Sequence, residues 1–487
     1  MDDKDIMMRN IVWLRHELRL TDNPALYYAA QGEHEVLPVF IWPGKTSSPG
    51  GASRWWLHRS LLSFSAKLQE MGARLLVMTG DASKMLPDLA VQYEAETVFW
   101  SRAYDPEGCV LDEAVERALR GQGTTCRIFA GANHLLNPAD VWNKSGEPFK
   151  VFTPFYKRAA SVSVDRPVPA PGKITTPAGR MDGVTIESLQ LEPEIDWAGG
   201  LRDAWEPGES AAKARLDVFI GDGLKAYEGE RDFPGQDGTS KLSPHLHFGE
   251  ISPRTIYHAV REQSESSRDK ALFRESEVYI RQLYWREFAH HLLHHFPHMT
   301  EKPMYPEYEK FPWRKDGAQL RAWQGGRTGY PIVDAGMREL WTTGWMHNRV
   351  RMIVGSFLVK DLLLSWRHGA EWFADTLVDA DAANNTLGWQ WVGGCGPDAA
   401  PYFRVFNPVL QSKRFDPDGI YIKRWVPELA SLQGNALHAP WTASSAELEV
   451  AGITLGKEYP QPVVEHAGAR ERALMAYATM KSARSRK

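Results

Sequence analysis

The blocks TGYPIVDAGMREL (328–340), TTGWMHNRVRMIVGSFLVKDLLLSW (342–366), DADAANNTLGWQW (379–391) and GCGPDAAPYFRVFNPVLQSKRFDPDG (394–419) follow one another and decide how the chain is read. In NRVRMIVGSFLVKDLLLSW (348–366) apolar residues return every three or four positions, the period of a helix with one face in a core. The same period runs through LFRESEVYIRQLYWREFAHHLLHHF (272–296). Beyond Ala211 the pattern is helical almost without interruption, so the later part of the chain reads as all-α.

Working toward the N-terminus, the pattern changes. Short β-branched runs, IVWL (11–14), VLPVFIW (36–42), RLLVM (74–78), TVFW (97–100) and CRIF (126–129), alternate with helical stretches. That alternation predicts a doubly wound, parallel, five-stranded sheet covered on both faces, with ligands at the carboxyl ends of its strands. No GxGxxG or GxxxxGK[ST] follows the first strand, which argues against an ordinary dinucleotide or P-loop site. The stretch 158–208 is rich in Pro, Gly and Thr without a period and reads as a surface linker. The expected division is an α/β domain over 9–135, a linker over 136–210, a helical domain over 211–475 and a basic tail over 476–487.

Composition sets limits. With 487 residues, 43% apolar and 24% charged, the chain is long enough for two cores and too apolar for extensive disorder. Its three cysteines, Cys109, Cys126 and Cys395, lie far apart, which supports neither a disulfide framework nor a zinc site. No apolar run approaches the roughly 18 residues that span a bilayer, and MDDKDIMMRN (1–10) lacks a signal-peptide core, so a soluble, cytoplasmic, monomeric protein is expected. A net charge of −4 speaks against coating nucleic acid by bulk electrostatics but leaves room for a local basic groove. Trp and Phe each number 19, an unusual weight of indole.

Three features suggest chemistry. GTSKLSPHLHFGEISPR (238–254) offers hydroxyls and backbone N–H groups ahead of a helix, equally suited to a pyrophosphate or to an ordinary N-capped turn. WREFAHHLLHHFP (285–297) carries His290, His291, His294 and His295 at zinc-like spacing, but the Glu of a zinc protease is missing between them, so no metal is expected. The indoles, taken singly, are explained by core packing.

Taken in order, the blocks from 313 to 419, with IVWLRHELRLTDNPAL (11–26) and the 238–254 segment, closely resemble the signature of the photolyase/cryptochrome family over essentially the whole chain. The resemblance implies FAD in the helical domain and a one-electron donation to a flipped-out pyrimidine dimer in damaged DNA. It assigns Tyr227, Thr239, Ser240, Lys241, Leu242 and Ser243 to the phosphates. Arg286, Arg351, Asp379, Ala380 and Asp381 fall around the isoalloxazine and ribose. Asn385 falls opposite flavin N5, where a neutral amide favours the anionic reduced flavin. Trp389, Trp366 and Trp313 match an electron-transfer chain, and Trp285 and Trp391 the two aromatics that clasp the lesion. Arg231, Gln282, Asn348, Arg349 and Met352 match the same DNA pocket, with Asn348 and Met352 four apart on one helix face.

The chain departs from the pattern at Gln282, commonly Glu in dimer-splitting members. Gln is found in (6-4) photolyases and animal cryptochromes, yet the (6-4) class carries an additional catalytic His where this chain has Asn348, and Met352 is typical of dimer repair. Cyclobutane dimer repair by a carbon–carbon lyase is the leading expectation, with (6-4) repair and a blue-light sensor as alternatives. The chain ends about 20 residues past His466, whereas sensors often carry a long extension. Glu107 and Gly108 stand where folate-binding relatives have Asn-Glu, so a second antenna chromophore is left open among folate, deazaflavin, flavin and none.

Overall fold

A computed structural model describes residues 8–44, 49–177, 182–398 and 404–484. Two compact units emerge, one from residues 1–225 with 240–297, the other from 226–239 with 298–487. They cut the chain differently from the segments drawn on sequence.

The first unit is built on five strands, β1 (Arg9–Leu14), β2 (Glu35–Trp42), β3 (Leu76–Thr79), β4 (Thr97–Ser101) and β5 (Thr125–Phe129), as the β-branched runs predict. They are all parallel, in the order β3-β2-β1-β4-β5. Trp13 of β1 lies level with Val39 of β2 and with Trp100 of β4. The order reverses between β1 and β4, the usual ligand crevice of such sheets. Here Arg15 spans that point, donating to the Ser101 carbonyl (2.5 Å) and pairing with Asp112 (2.9 Å).

The stretch read as a surface linker is tied to this unit by its backbone. Thr175 accepts from Val36 N–H, Val168 accepts from Asp22 N–H, and Val184 N–H donates to Val77. The 26-residue helix α1 (Lys270–His295) also belongs here and packs on the helices Pro253–Ser267 and Phe152–Ala159. Asp269 caps it by accepting from Ala271 N–H.

The second unit is helical around a core that includes Trp323, Tyr330, Met346, Val354, Trp366 and Trp389. The run 348–366, read as one helix, is two. Helix α2 (Asn348–Ser356) opens into a π-helical turn over Phe357–Asp361, and α3 (Trp366–Thr376) starts afresh. Leu363 takes a left-handed φ of 55°, and its carbonyl accepts from Arg314 N–H (2.9 Å). Ser365 then caps α3 through Arg367 N–H. Residues 353–364 are buried on every side, so apolar spacing carries no mark of the change. Helix α4 (Ala382–Gly393) follows, capped by Asp381, which accepts from Asn384 N–H (2.8 Å). The segment called a basic tail contributes residues 476–484 to the helix His466–Arg484; its last three residues lie outside the described ones.

Candidate functional site

In the second unit three of the predicted indoles occupy distinct environments. Trp389, on α4, is buried and meets Phe373 edge-on at 4.9 Å and Trp323 at 6.1 Å. Trp366, first residue of α3, is also buried, while Trp313 is half-buried and packs on Phe311 at 4.4 Å. Of these three indoles two are enclosed and one is half-buried. Trp323 was missed from sequence: its Nε1 donates to the Val354 carbonyl (3.0 Å), and no motif sets it apart from a core residue.

Around the start of α4 the predicted polar residues do assemble. Arg351 Nη2 bonds both carboxylate oxygens of buried Asp379, at 3.0 and 2.8 Å, and its Nε donates to the Met346 carbonyl (2.7 Å). The guanidinium is thus fixed in place by a charge-assisted pair. Asp381 N–H donates to the Asp379 carbonyl (2.7 Å), tying Asp379, Ala380 and Asp381 into one tight turn. Asn385 Nδ2 donates one hydrogen to the Ala370 carbonyl (3.0 Å), which leaves its second N–H and its carbonyl oxygen to offer elsewhere. A fixed Arg, two carboxylates and an amide acceptor suit the ribose and ring edges of a flavin.

A second cluster of the same unit gathers Arg231, Arg349 and Met352, three of the residues expected to face DNA. Arg349 Nη2 bonds Asp232 (2.6 Å), its guanidinium lies 4.3 Å over the Phe415 ring, and its Nη1 reaches Met352 Sδ (3.8 Å). Arg231 stands 4.0 Å from Asp232 and lies over Tyr227, a phenol that burial pushes up to about 12. Asp232 was not foreseen, though its place beside Arg231 was available as a signal. Asn348 is exposed at the start of α2, and half-buried Trp391 lines a small cavity with Ser356, Lys360 and Arg404. Thr239 is half-buried, next to Gly238, where a Cβ would strike Glu230 at 2.6 Å.

In the first unit, Gln282, Trp285 and Arg286 fall at i, i+3 and i+4 of α1 and so share a face. Gln282 turns its amide inward, donating to Val278 of its own helix (3.0 Å). Trp285 stacks flat on Phe152, centroids 3.6 Å apart at 7°, so one face of the expected clasp is already covered. Arg286 donates to the Asn133 carbonyl (2.8 Å). Ser240 Oγ accepts from Tyr279 (3.1 Å), Lys241 adopts a left-handed φ of 50°, Leu242 is buried and Ser243 exposed at the start of a short helix.

The histidines of α1 are held by packing. His291 Nε2 accepts from Phe149 N–H (3.0 Å) while Nδ1 donates to Pro138 (3.2 Å), and burial lowers its pKa to about 4. At the doubtful antenna position, Gly108 N–H donates to Asp105, the cap of the helix Pro106–Gly121, and a Cβ there would meet Ala103 at 2.5 Å. It would also meet Asp105 Oδ2 at 2.6 Å, so lack of space between Ala103 and the capping carboxylate accounts for glycine at this position.

Comparison with known proteins identifies the family. Residues 10–172 match the model of DNA photolyase, and residues 279–479 that of the FAD binding domain of DNA photolyase. A deoxyribodipyrimidine photo-lyase of Agrobacterium fabrum is 48% identical across 97% of this chain and 98% of its own. Cryptochrome-2 of Arabidopsis thaliana is 39% identical across 95% of this chain and 78% of its own. The crystal structure of a bacterial class III photolyase from Agrobacterium tumefaciens superposes with a TM-score of 0.93, at 47% identity and 98% coverage of both chains. Its sheet, its helical FAD-binding region and its full-length relatives make this chain a member of the photolyase/cryptochrome family of FAD proteins.

Proposed function

We propose that the chain is a light-driven DNA repair enzyme that splits cyclobutane pyrimidine dimers. The observation that carries this reading is the near full-length identity to a deoxyribodipyrimidine photo-lyase. The cluster Arg231, Asp232, Arg349 and Met352 supports it, because it sets a thioether and two cations together in partly open surroundings. An apolar sulfur edge beside guanidinium groups suits a dimer and its flanking phosphates.

FAD held by Arg351, Asp379 and Asn385 would supply, in its reduced and light-excited form, the one electron that splitting two carbon–carbon bonds of the dimer needs, and would take it back afterwards. The protein's own work is binding and orientation. Trp391 and the uncovered face of Trp285 stack on bases, which contributes about 1–3 kcal/mol per base. Damage weakens stacking in the duplex and lowers the cost of extruding the lesion. Arg351 and Asp379 orient the flavin, and Asn385 presents a neutral amide, which does not readily give up a proton. Trp389, Trp366 and Trp313 refill the flavin with electrons after oxidation, acting as a relay from solvent inward.

A sensor is the second reading, favoured by the likeness to a cryptochrome. Blue-light irradiation of reduced protein with an oligonucleotide carrying a cyclobutane thymine dimer decides between them by chromatography. Restored thymines are expected. Conversion of (6-4) lesions alone would overturn the substrate, and no turnover by fully reduced protein would establish the sensor.

A further inference from the structure

Lys360 is used by none of the roles above, yet it is only 2% exposed, in the π-helical turn between α2 and α3. Its Nζ donates to the carbonyl of Gly393 (3.3 Å), the last residue of α4, four positions after Trp389. Gly393 also touches the next indole. A Cβ built on it would lie 3.9 Å from both Cβ and Cδ1 of Trp366, and 3.1 Å from Cys395 Sγ. One glycine therefore has a buried amine on its carbonyl and the middle indole and a buried thiol beside its Cα.

We infer that Lys360 is a positioning residue of the indole relay, a core cation beside Trp366 that keeps positive charge off the middle indole once it has moved out to Trp313. This rests on the relay proposed above. The bookkeeping is simple. Each step moves one electron inward, from Trp366 to Trp389 and from Trp313 to Trp366, with light-excited oxidised flavin as the oxidant. No bond changes until the half-buried Trp313 radical cation gives its indole proton to water. Lys360 exchanges no electron; like charges repel strongly in a low dielectric, so its ammonium makes return of the positive charge to Trp366 unfavourable.

The surroundings favour a charge that can be switched. Cys395 is kept neutral, its thiol pushed up to about 12 by burial. Arg404 lines the small cavity that Lys360 shares with Trp391, and Arg367 acts on Cys395 from α3. The adjacent carboxylate, Asp361, pairs with His466, and its backbone carbonyl accepts from Arg472. Burial lowers the Lys360 amine to about 7, so it is charged in mild acid and neutral in mild base.

The test is thiol-driven photoreduction of the oxidised holoprotein at pH 6 and 8.5 in the wild type, Lys360→Met and Lys360→Arg. The wild type should slow by about fivefold or more at the higher pH, a floor set by fully water-screened repulsion between neighbouring unit charges. Lys360→Met should stay at the slow level and Lys360→Arg at the fast level, apart from the pH dependence of the external thiol that all three share. Removal of a buried charge is commonly tolerated, so the Met variant should fold. A readout independent of turnover is the dark indole absorption difference between the two pH values, present in the wild type and lost in Lys360→Met. A Met variant with the wild-type profile and difference spectrum overturns the role of Lys360. Normal photoreduction in both Trp389→Phe and Trp313→Phe would instead overturn the relay itself, and with it this inference.

Discussion

Gly369 and Trp389 fit so closely that no side chain could stand at 369. A Cβ there would lie 2.0 Å from Cη2 of the indole, 2.3 Å from Cζ3 and 2.5 Å from Cζ2. Gly369 is a buried residue of α3 in ordinary helical conformation, so space and not backbone freedom demands glycine. With Trp323 and Phe373 on other sides, the pocket is cut to one indole in one pose. Gly369→Ala must displace the ring, at a cost of about 1–3 kcal/mol for overpacking. A lower denaturation midpoint together with slower photoreduction is expected; unchanged photoreduction would show that the pose of Trp389 is immaterial to electron transfer.

Trp389→Phe separates packing from redox use. Phenylalanine fills much of the site but is far harder to oxidise, so photoreduction of oxidised FAD by external thiols should stop. Pre-reduced protein should still repair, since the lesion takes its electron from the reduced flavin without the relay. Flash photolysis with dimer repair as a parallel assay checks both halves. Loss of repair in the pre-reduced variant would mean that Trp389 serves binding.

The Arg351 and Asp379 pair should govern flavin retention. Arg351→Met leaves a carboxylate whose side chain is 4% exposed without its bidentate partner. Breaking such a pair costs about 3–5 kcal/mol when both ions are buried, and less here because Arg351 is 24% exposed. FAD should then be lost on gel filtration, with Arg351→Lys intermediate because ammonium cannot reproduce the fork. Retention of FAD by the Met variant would remove this pair from the flavin site.

His291 predicts an acid limb in stability. Burial favours its neutral form, so its folded pKa, about 4, lies below the unfolded value. The unfolded chain therefore binds the proton first, and stability falls as pH drops from about 6.5 toward 4, by at most ~3 kcal/mol for this group. His294 and His295 are shifted the same way by burial. Urea midpoints at pH 7 and 5 should converge in part between wild type and His291→Gln; an equal drop in both would assign the acid limb to other groups.

How much of this was legible depends on which residues carry the information. The five strands announced themselves because buried parallel strands need continuous β-branched runs such as VLPVFIW. The break after Asp361 did not, because residues around it are buried on all sides and apolar period says nothing about φ at Leu363. Trp366 was readable as an indole but not as the first residue of a new helix. Long-range pairings such as Phe152 with Trp285 leave no local pattern at either end, and Asp232, though visible beside Arg231, carries no sign that its partner is Arg349.

Gln282 bears on the lesion most directly. Its Nε2 donates to the Val278 carbonyl one turn back, an arrangement that a carboxylate cannot copy because it has no proton to give. In Gln282→Glu an ionised side chain would be repelled by that carbonyl and turn off the helix, on the face that also carries Trp285 and Arg286. Protonated, it would donate to a thymine carbonyl, a bond that becomes charge-assisted once the dimer carries the transferred electron, and hydrogen bonds to charged groups are worth about 1.5–3 kcal/mol against about 1 for neutral pairs. The substitution should therefore keep or raise the yield of dimer splitting per photon. Trp391→Ala should instead weaken lesion binding, by about 1–3 kcal/mol for one lost stack, with little change in splitting once bound. Quantum yield under saturating substrate and equilibrium binding of a dimer-containing oligonucleotide measure the two effects separately. If Gln282→Glu abolishes splitting while binding persists, the amide itself positions the lesion, and the carboxyl common among dimer-splitting relatives has no counterpart here.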